Sequence, residues 1–192
     1  MFLLCFGLFI FLGIHSLRLF GDTVRDRWIA RAGEKGFKLQ YSALSIVGFV
    51  LVIIGFGLAR ETPQLLWTPW FPLRHLAALL MLLSFVFLAA AYVPGNGIKA
   101  RLHHPMILAV KVWALAHLLT NASVAHVVLF GSFLIWSVWC FRAARQRDTR
   151  LQTHYAPGTL RATAISAALG ALAWSLFALW GHGWLIGVRV MV

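Results

Sequence analysis

Residues 103–121 read HHPMILAVKVWALAHLLTN, an apolar run opened by Pro105 and interrupted by Lys111, His117 and Asn121. A bilayer's hydrocarbon core is about 30 Å thick and needs roughly 20 helical residues at 1.5 Å each. The run is therefore expected to span a membrane. An ionisable group at mid-depth costs a few kcal/mol unless it faces a partner or a cavity, so these polar side chains are expected to point into a helix bundle.

Working outward, the 192-residue chain is 61% hydrophobic and only 11% charged, with a mean hydropathy of +0.83. Soluble domains are closer to half apolar and a quarter charged. The expected fold is all-α, a polytopic transmembrane bundle with six spans in one domain over residues 1–192. The spans are read at Phe2–Phe20, Tyr41–Ala59, Leu73–Val93, Pro105–Asn121, Val124–Phe141 and Thr163–Gly181, with a polar loop over Gly21–Gln40 broken at Gly33 and Gly36. No basic region precedes the first apolar run and no small-residue cleavage site follows it, so a retained span is expected there rather than a signal peptide.

A net charge of +12 would suggest nucleic acid in a soluble protein. Here the basic residues flank apolar spans, where anionic lipid headgroups attract them, and no nucleic-acid role is expected. Arg18, Arg25, Arg27, Arg31, Lys35, Lys38, Lys99, Arg101, Arg142, Arg145, Arg147, Arg150 and Arg161 fall on one side of the expected topology, against Arg60, Arg74 and Arg189 on the other. Lys and Arg accumulate on the cytoplasmic side, so both termini are expected outside the cytoplasm. Cys5 and Cys140 then sit toward opposite faces of the membrane, too far apart for a disulfide. Neither CxxC nor CxxCH occurs, which leaves no support for a zinc ribbon or covalent c-type haem.

At 100° per residue, Trp113, His117, Thr120 and Asn121 share about a third of their helix's circumference, while Lys111 and His104 lie on the other side. His117 has two readings: an interhelical hydrogen-bonding group, or an axial ligand to haem iron, since an uncharged imidazole suits lipid-depth protein and a bundle core suits an apolar macrocycle. In the second reading Trp113 packs on the ring edge and Asn121 or Thr120 orients the other imidazole nitrogen.

His15, within Leu12-Gly13-Ile14-His15-Ser16-Leu17-Arg18, is the second ligand candidate, against a plain interfacial histidine beside a snorkelling Arg18. His15-Ser16-Leu17 faintly echoes His117-Leu118-Leu119, as two inverted three-helix halves of a small transporter would. On the expected spans the two histidines differ in depth by about 10 Å, a gap that helix tilt or a slanted macrocycle could close. His104 is the reserve ligand. Lys111 is a candidate counter-charge for haem propionates or an anionic substrate. His103 is expected at the interface, His75 and His126 at the interface or at helix contacts, and His154 and His182 outside the core. The five carboxylates, Asp22, Asp26, Glu34, Glu61 and Asp148, are expected in loops, so any chemistry would rest on a cofactor.

These residues resemble the NnrU family of membrane proteins. His15-Ser16-Leu17-Arg18, Arg31-Ala32-Gly33-Glu34 and Leu39-Gln40-Tyr41-Ser42 look like its N-terminal signature. Pro94-Gly95, Ile98-Lys99-Ala100, His104-Pro105-Met106, the block from Trp113 to Leu119, and Leu129-Phe130-Gly131-Ser132-Phe133 look like its central one. The resemblance is strongest over residues 10–145. It implies a bacterial inner-membrane protein associated with nitrite and nitric oxide respiration (denitrification). The family is also similar to plant zeta-carotene isomerase, a haem b membrane enzyme. Haem b held by His15 and His117, with Trp113, Asn121 and Lys111 around it, is the expectation that follows. The activity expected is either nitrogen-oxide chemistry or redox-dependent isomerisation of an apolar substrate. The alternative is a cofactor-free accessory protein that partners a respiratory complex.

Overall fold

A computed structural model describes residues 1–17, 19 and 22–190. The chain is all-α. Its helices are α1 (Phe2–His15), α2 (Asp22–Glu61), α3 (Leu73–Tyr92), α4 (Gly97–Leu102), α5 (Pro105–Thr120), α6 (Val124–Arg150), α7 (Leu160–Leu176) and α8 (His182–Ile186), with a π-helical turn over Phe177–Gly181 joining the last two. Among the described residues there is no named strand, only two isolated bridges, Leu65 with Ser123 and Asn96 with Thr159.

Four helical stretches, Thr23–Glu61, Leu73–Tyr92, Val124–Arg150 and Leu160–Ile186, are long and apolar enough to cross a bilayer. The 14-residue α1 and 16-residue α5 are apolar but shorter, rising about 21 and 24 Å at 1.5 Å per residue. Large apolar side chains face outward, including Ile53, Leu79 and Leu172. So extensive an exposed apolar surface belongs in lipid rather than water. This is an integral membrane protein, and six spans fit its helices.

Two expectations are corrected. The expected loop over Gly21–Gln40 is helical from Asp22 onward. Its charged residues keep it out of hydrocarbon without forbidding a helix: Lys38 Nζ bonds Glu34 Oε1 one turn away at 2.7 Å, and Trp28 Nε1 donates to Gln40 Oε1 at 2.6 Å. Gly33 does interrupt it, with φ 70° in the middle of α2, whereas Gly36 is helical. The carboxylates are likewise on helices, four on α2 and Asp148 near the end of α6. Arg18 and the expected first-span end at Phe20 lie outside the described residues.

The chain forms two compact units, Met1–Pro69 with Asn121–Ala143, and Trp70–Thr120 with Ala144–Val192. In the first, α1 packs on the apolar half of α2. A Cβ at Gly7 would meet the backbone of Leu51 and Val52, and one at Gly55 that of Leu3 and Leu4. Glycine at both crossings lets the helices approach closely, which in lipid supplies the packing that water would otherwise drive. The first part of α6 joins them through aromatic contacts, Phe133 with Phe11 at 5.9 Å and Phe130 with Phe56 at 6.4 Å. Backbone bonds from Leu66 to Ala122 and from Val124 to Gln64 tie down the start of α6.

In the second unit, α3 packs between α5 and α7. Buried Ser84 donates to the Ala109 carbonyl across α3 and α5 at 2.8 Å. Asn96 organises the turn after α3: it is 1% exposed, donates to Ala90 O and Val93 O, and accepts from Lys99 N at 2.8 Å as the cap of α4. Gly97 N then donates to Thr163 Oγ1 at 2.8 Å, fastening this turn to the start of α7.

Candidate functional site

His15 ends α1 in the first unit. Its Nδ1 lies 2.6 Å from the Phe11 carbonyl one turn back. A carbonyl only accepts, so Nδ1 carries the proton and the lone pair is on Nε2. Three rings surround the half-buried imidazole: Phe11 at 4.2 Å, Tyr41 at 5.5 Å and Trp136 edge-on at 6.4 Å. Trp136 is itself fixed, since its Nε1 donates to Ser16 Oγ at 3.1 Å and Ser16 Oγ donates to Leu12 O at 2.6 Å.

His117 belongs to the second unit and repeats the arrangement. Its Nδ1 lies 2.9 Å from the carbonyl of Trp113, again four residues back, with the Trp113 ring 5.4 Å away. The Trp113 contact expected from the sequence is present, and the backbone of the same residue fixes the tautomer. The Thr120 hydroxyl donates to Ala116 O of its own helix at 3.3 Å. Lys111 is half-buried on α5, and Asn121, just past its end, belongs to the first unit. His126, also in the first unit, is held differently, with Nδ1 2.6 Å from Ser123 Oγ and its ring against Phe56 at 5.2 Å.

The reserve ligand His104 faces α6. Its Nε2 donates to Asp148 Oδ2 at 2.8 Å, and the Tyr155 hydroxyl donates to the same carboxylate at 3.2 Å. The His103 ring stacks on Tyr155 at 4.0 Å and accepts through Nδ1 from the Arg145 guanidinium. Burial, and then the facing Asp148 carboxylate, pushes the Tyr155 phenol above its ordinary value, so it remains a donor through neutral pH. This cluster joins residues 42 and 44 positions apart. Sequence reasoning set His103 and His154 aside as peripheral; the available signal was a histidine doublet in the same chain as one carboxylate within the basic tract Arg142–Arg150.

Among the described residues no three or more His, Cys, Asp or Glu side chains gather as a metal cage. Haem asks for less: one or two imidazoles, each oriented by a hydrogen bond to the ring nitrogen that does not ligate. The tautomers of His15 and His117 fit that requirement. Cys5 and Cys140 form no disulfide.

No curated protein and no solved structure matches the chain. The family model described as NnrU protein matches residues 3–190. With nearly its whole length covered, this chain belongs to the NnrU family.

Proposed function

We propose that this protein binds b-type haem within its helices in the bacterial inner membrane, with both termini on the periplasmic side. His15 and His117 are the iron ligands in this reading, with Trp113, Asn121 and Lys111 nearby on the chain. The carrying observation is the lock common to both: Nδ1–H donates to the carbonyl four residues back and directs the lone pair to Nε2. Such a bond raises ligand basicity and fixes ring orientation before any ligand arrives.

Bound haem would supply redox chemistry at an iron whose potential depends on its axial ligands and surroundings. The chain's own contribution is then orientation and exclusion of water. Phe11, Tyr41 and Trp136 surround His15 with rings, and Trp113 covers His117. The resemblance to nitrite and nitric oxide respiration proteins, and to a haem-dependent carotene isomerase, supports either nitrogen-oxide chemistry or redox-dependent isomerisation of an apolar substrate.

A second reading, a cofactor-free accessory of a respiratory complex, is favoured by one observation. Among the described residues no buried side-chain nitrogen or oxygen lacks a hydrogen-bond partner. The absorption spectrum of detergent-purified protein, expressed with ample haem, separates the two. A Soret band that shifts on adding dithionite is expected; a spectrum with only aromatic absorption would leave the accessory role.

A further inference from the structure

Beyond the apolar part of α6, the second unit holds an open concavity of about 470 Å³ lined by His103, Arg145, Asp148, Thr149, Gln152, Thr153 and His154. Two of these residues occupy backbone conformations that L-residues avoid. His103 has φ 69° and ψ −51°, and the amide after it bonds the carbonyl before it at 2.9 Å, which makes a γ-turn of the rare, strained kind. Gln152 has φ 48° in a C-terminal cap where Thr153 N bonds Asp148 O and Gln152 N bonds Thr149 O, a position usually given to glycine. Strain of this kind persists where surroundings over-determine it and collects at functional sites.

We propose that this concavity is a binding site for a phosphate ester. Its wall is rich in donors. A guanidinium has five N–H groups, and Arg145 directs one to His103 Nδ1. The remainder form the fork that matches phosphate oxygens. The Thr153 hydroxyl, the Gln152 amide and the His154 ring extend the donor set, while the Thr149 hydroxyl already donates to Arg145 O at 3.1 Å. Asp148 opposes an anion, but its carboxylate already accepts from His104 Nε2 and the Tyr155 hydroxyl. The concavity is open, and its volume exceeds what a bare oxyanion needs, which leaves room for an organic group esterified to the phosphate. A phospholipid headgroup and a soluble phosphate ester share this chemistry. The site is independent of haem.

Two probes on the full chain in zwitterionic detergent test it: calorimetric titration with glycerol 3-phosphate, and native mass spectrometry of retained phosphatidylglycerol. Saturable one-to-one binding of the first supports a soluble ester, and selective retention of the second supports a lipid headgroup. In either case Arg145→Gln is expected to weaken binding about tenfold, the loss of a charge-assisted pair of bonds. Arg150→Gln, exposed on the same helix outside the concavity, is expected to leave it unchanged. If circular dichroism shows that Arg145→Gln has lost helix, Thr153→Val in the exposed loop provides the reading, with binding weakened a few-fold. Absence of binding by both probes would overturn the proposal. So would equal weakening by Arg145→Gln and Arg150→Gln, which would mark a diffuse basic surface.

Discussion

Both units of the chain bring helices together at glycine, and they differ in the side chains laid over those contacts. In the first, α1 and α2 meet backbone to backbone where Gly7 and Gly55 leave no room for a Cβ, and aromatic side chains fill what remains. In the second, Gly170 on α7 meets the main chain of Val86 on α3 just as closely, and polar side chains tie elements together: Ser84 to Ala109, Asn96 to the turn it caps, Thr163 to Gly97 N. Yet each unit carries one histidine with the same local tautomer lock, His15 on Phe11 and His117 on Trp113. The lock depends on helical spacing alone and is indifferent to how its surroundings are packed. That independence is why one imidazole geometry recurs in both units.

The difference can be broken from either side. Gly55→Leu would drive a side chain into the main chain of Leu3 and Leu4, atoms that cannot swing aside. It is expected to cost on the order of 3 kcal/mol, read as a lowered unfolding midpoint in detergent, because overpacking a tight contact costs typically 1–3 kcal/mol. Absence of a shift would mean the α1–α2 approach is looser than described. Asn96→Ala removes three hydrogen bonds at a nearly fully buried position and leaves Lys99 N without its cap. A loss of about 2 kcal/mol is expected at roughly 1 kcal/mol per bond, less the share that water recovers. Faster amide exchange confined to α4 and the start of α7 would localise the effect; unchanged exchange there would deny Asn96 its organising role.

The smallest effect has the opposite sign. Gln152→Gly relieves a left-handed backbone that costs an L-residue about 1 kcal/mol. The variant should unfold slightly later on heating while holding glycerol 3-phosphate more weakly, since it gives up an amide donor. Stabilisation with undiminished binding would separate the strain at this cap from the phosphate-ester site.

Much of the fold could be read from hydropathy, because a bilayer imposes its thickness on sequence directly: the cores of α3, α5, α6 and α7 fall where apolar runs lie. Asp22–Gln40 was misread because charge and glycine report on solvent exposure, whereas the helix there is stabilised by the Glu34–Lys38 pair and the Trp28–Gln40 bond. The candidate ligands were legible for a related reason. Imidazoles in apolar runs stand out, and the bonds that orient them reach only one turn. The His103, His104, Asp148 and Tyr155 cluster was not legible, since nothing in local pattern says that α6 extends past its apolar part to bring Asp148 to a doublet 44 residues earlier.

The most direct test compares haem bound per chain in three proteins purified in parallel: the unaltered protein, the double variant His15→Ala/His117→Ala, and His126→Ala, whose imidazole is bonded to Ser123 instead of a carbonyl one turn back. Haem is expected in the first and third and lost from the double variant, each with its helical circular dichroism intact. No haem in the unaltered protein, or undiminished haem in the double variant, would contradict ligation by His15 and His117.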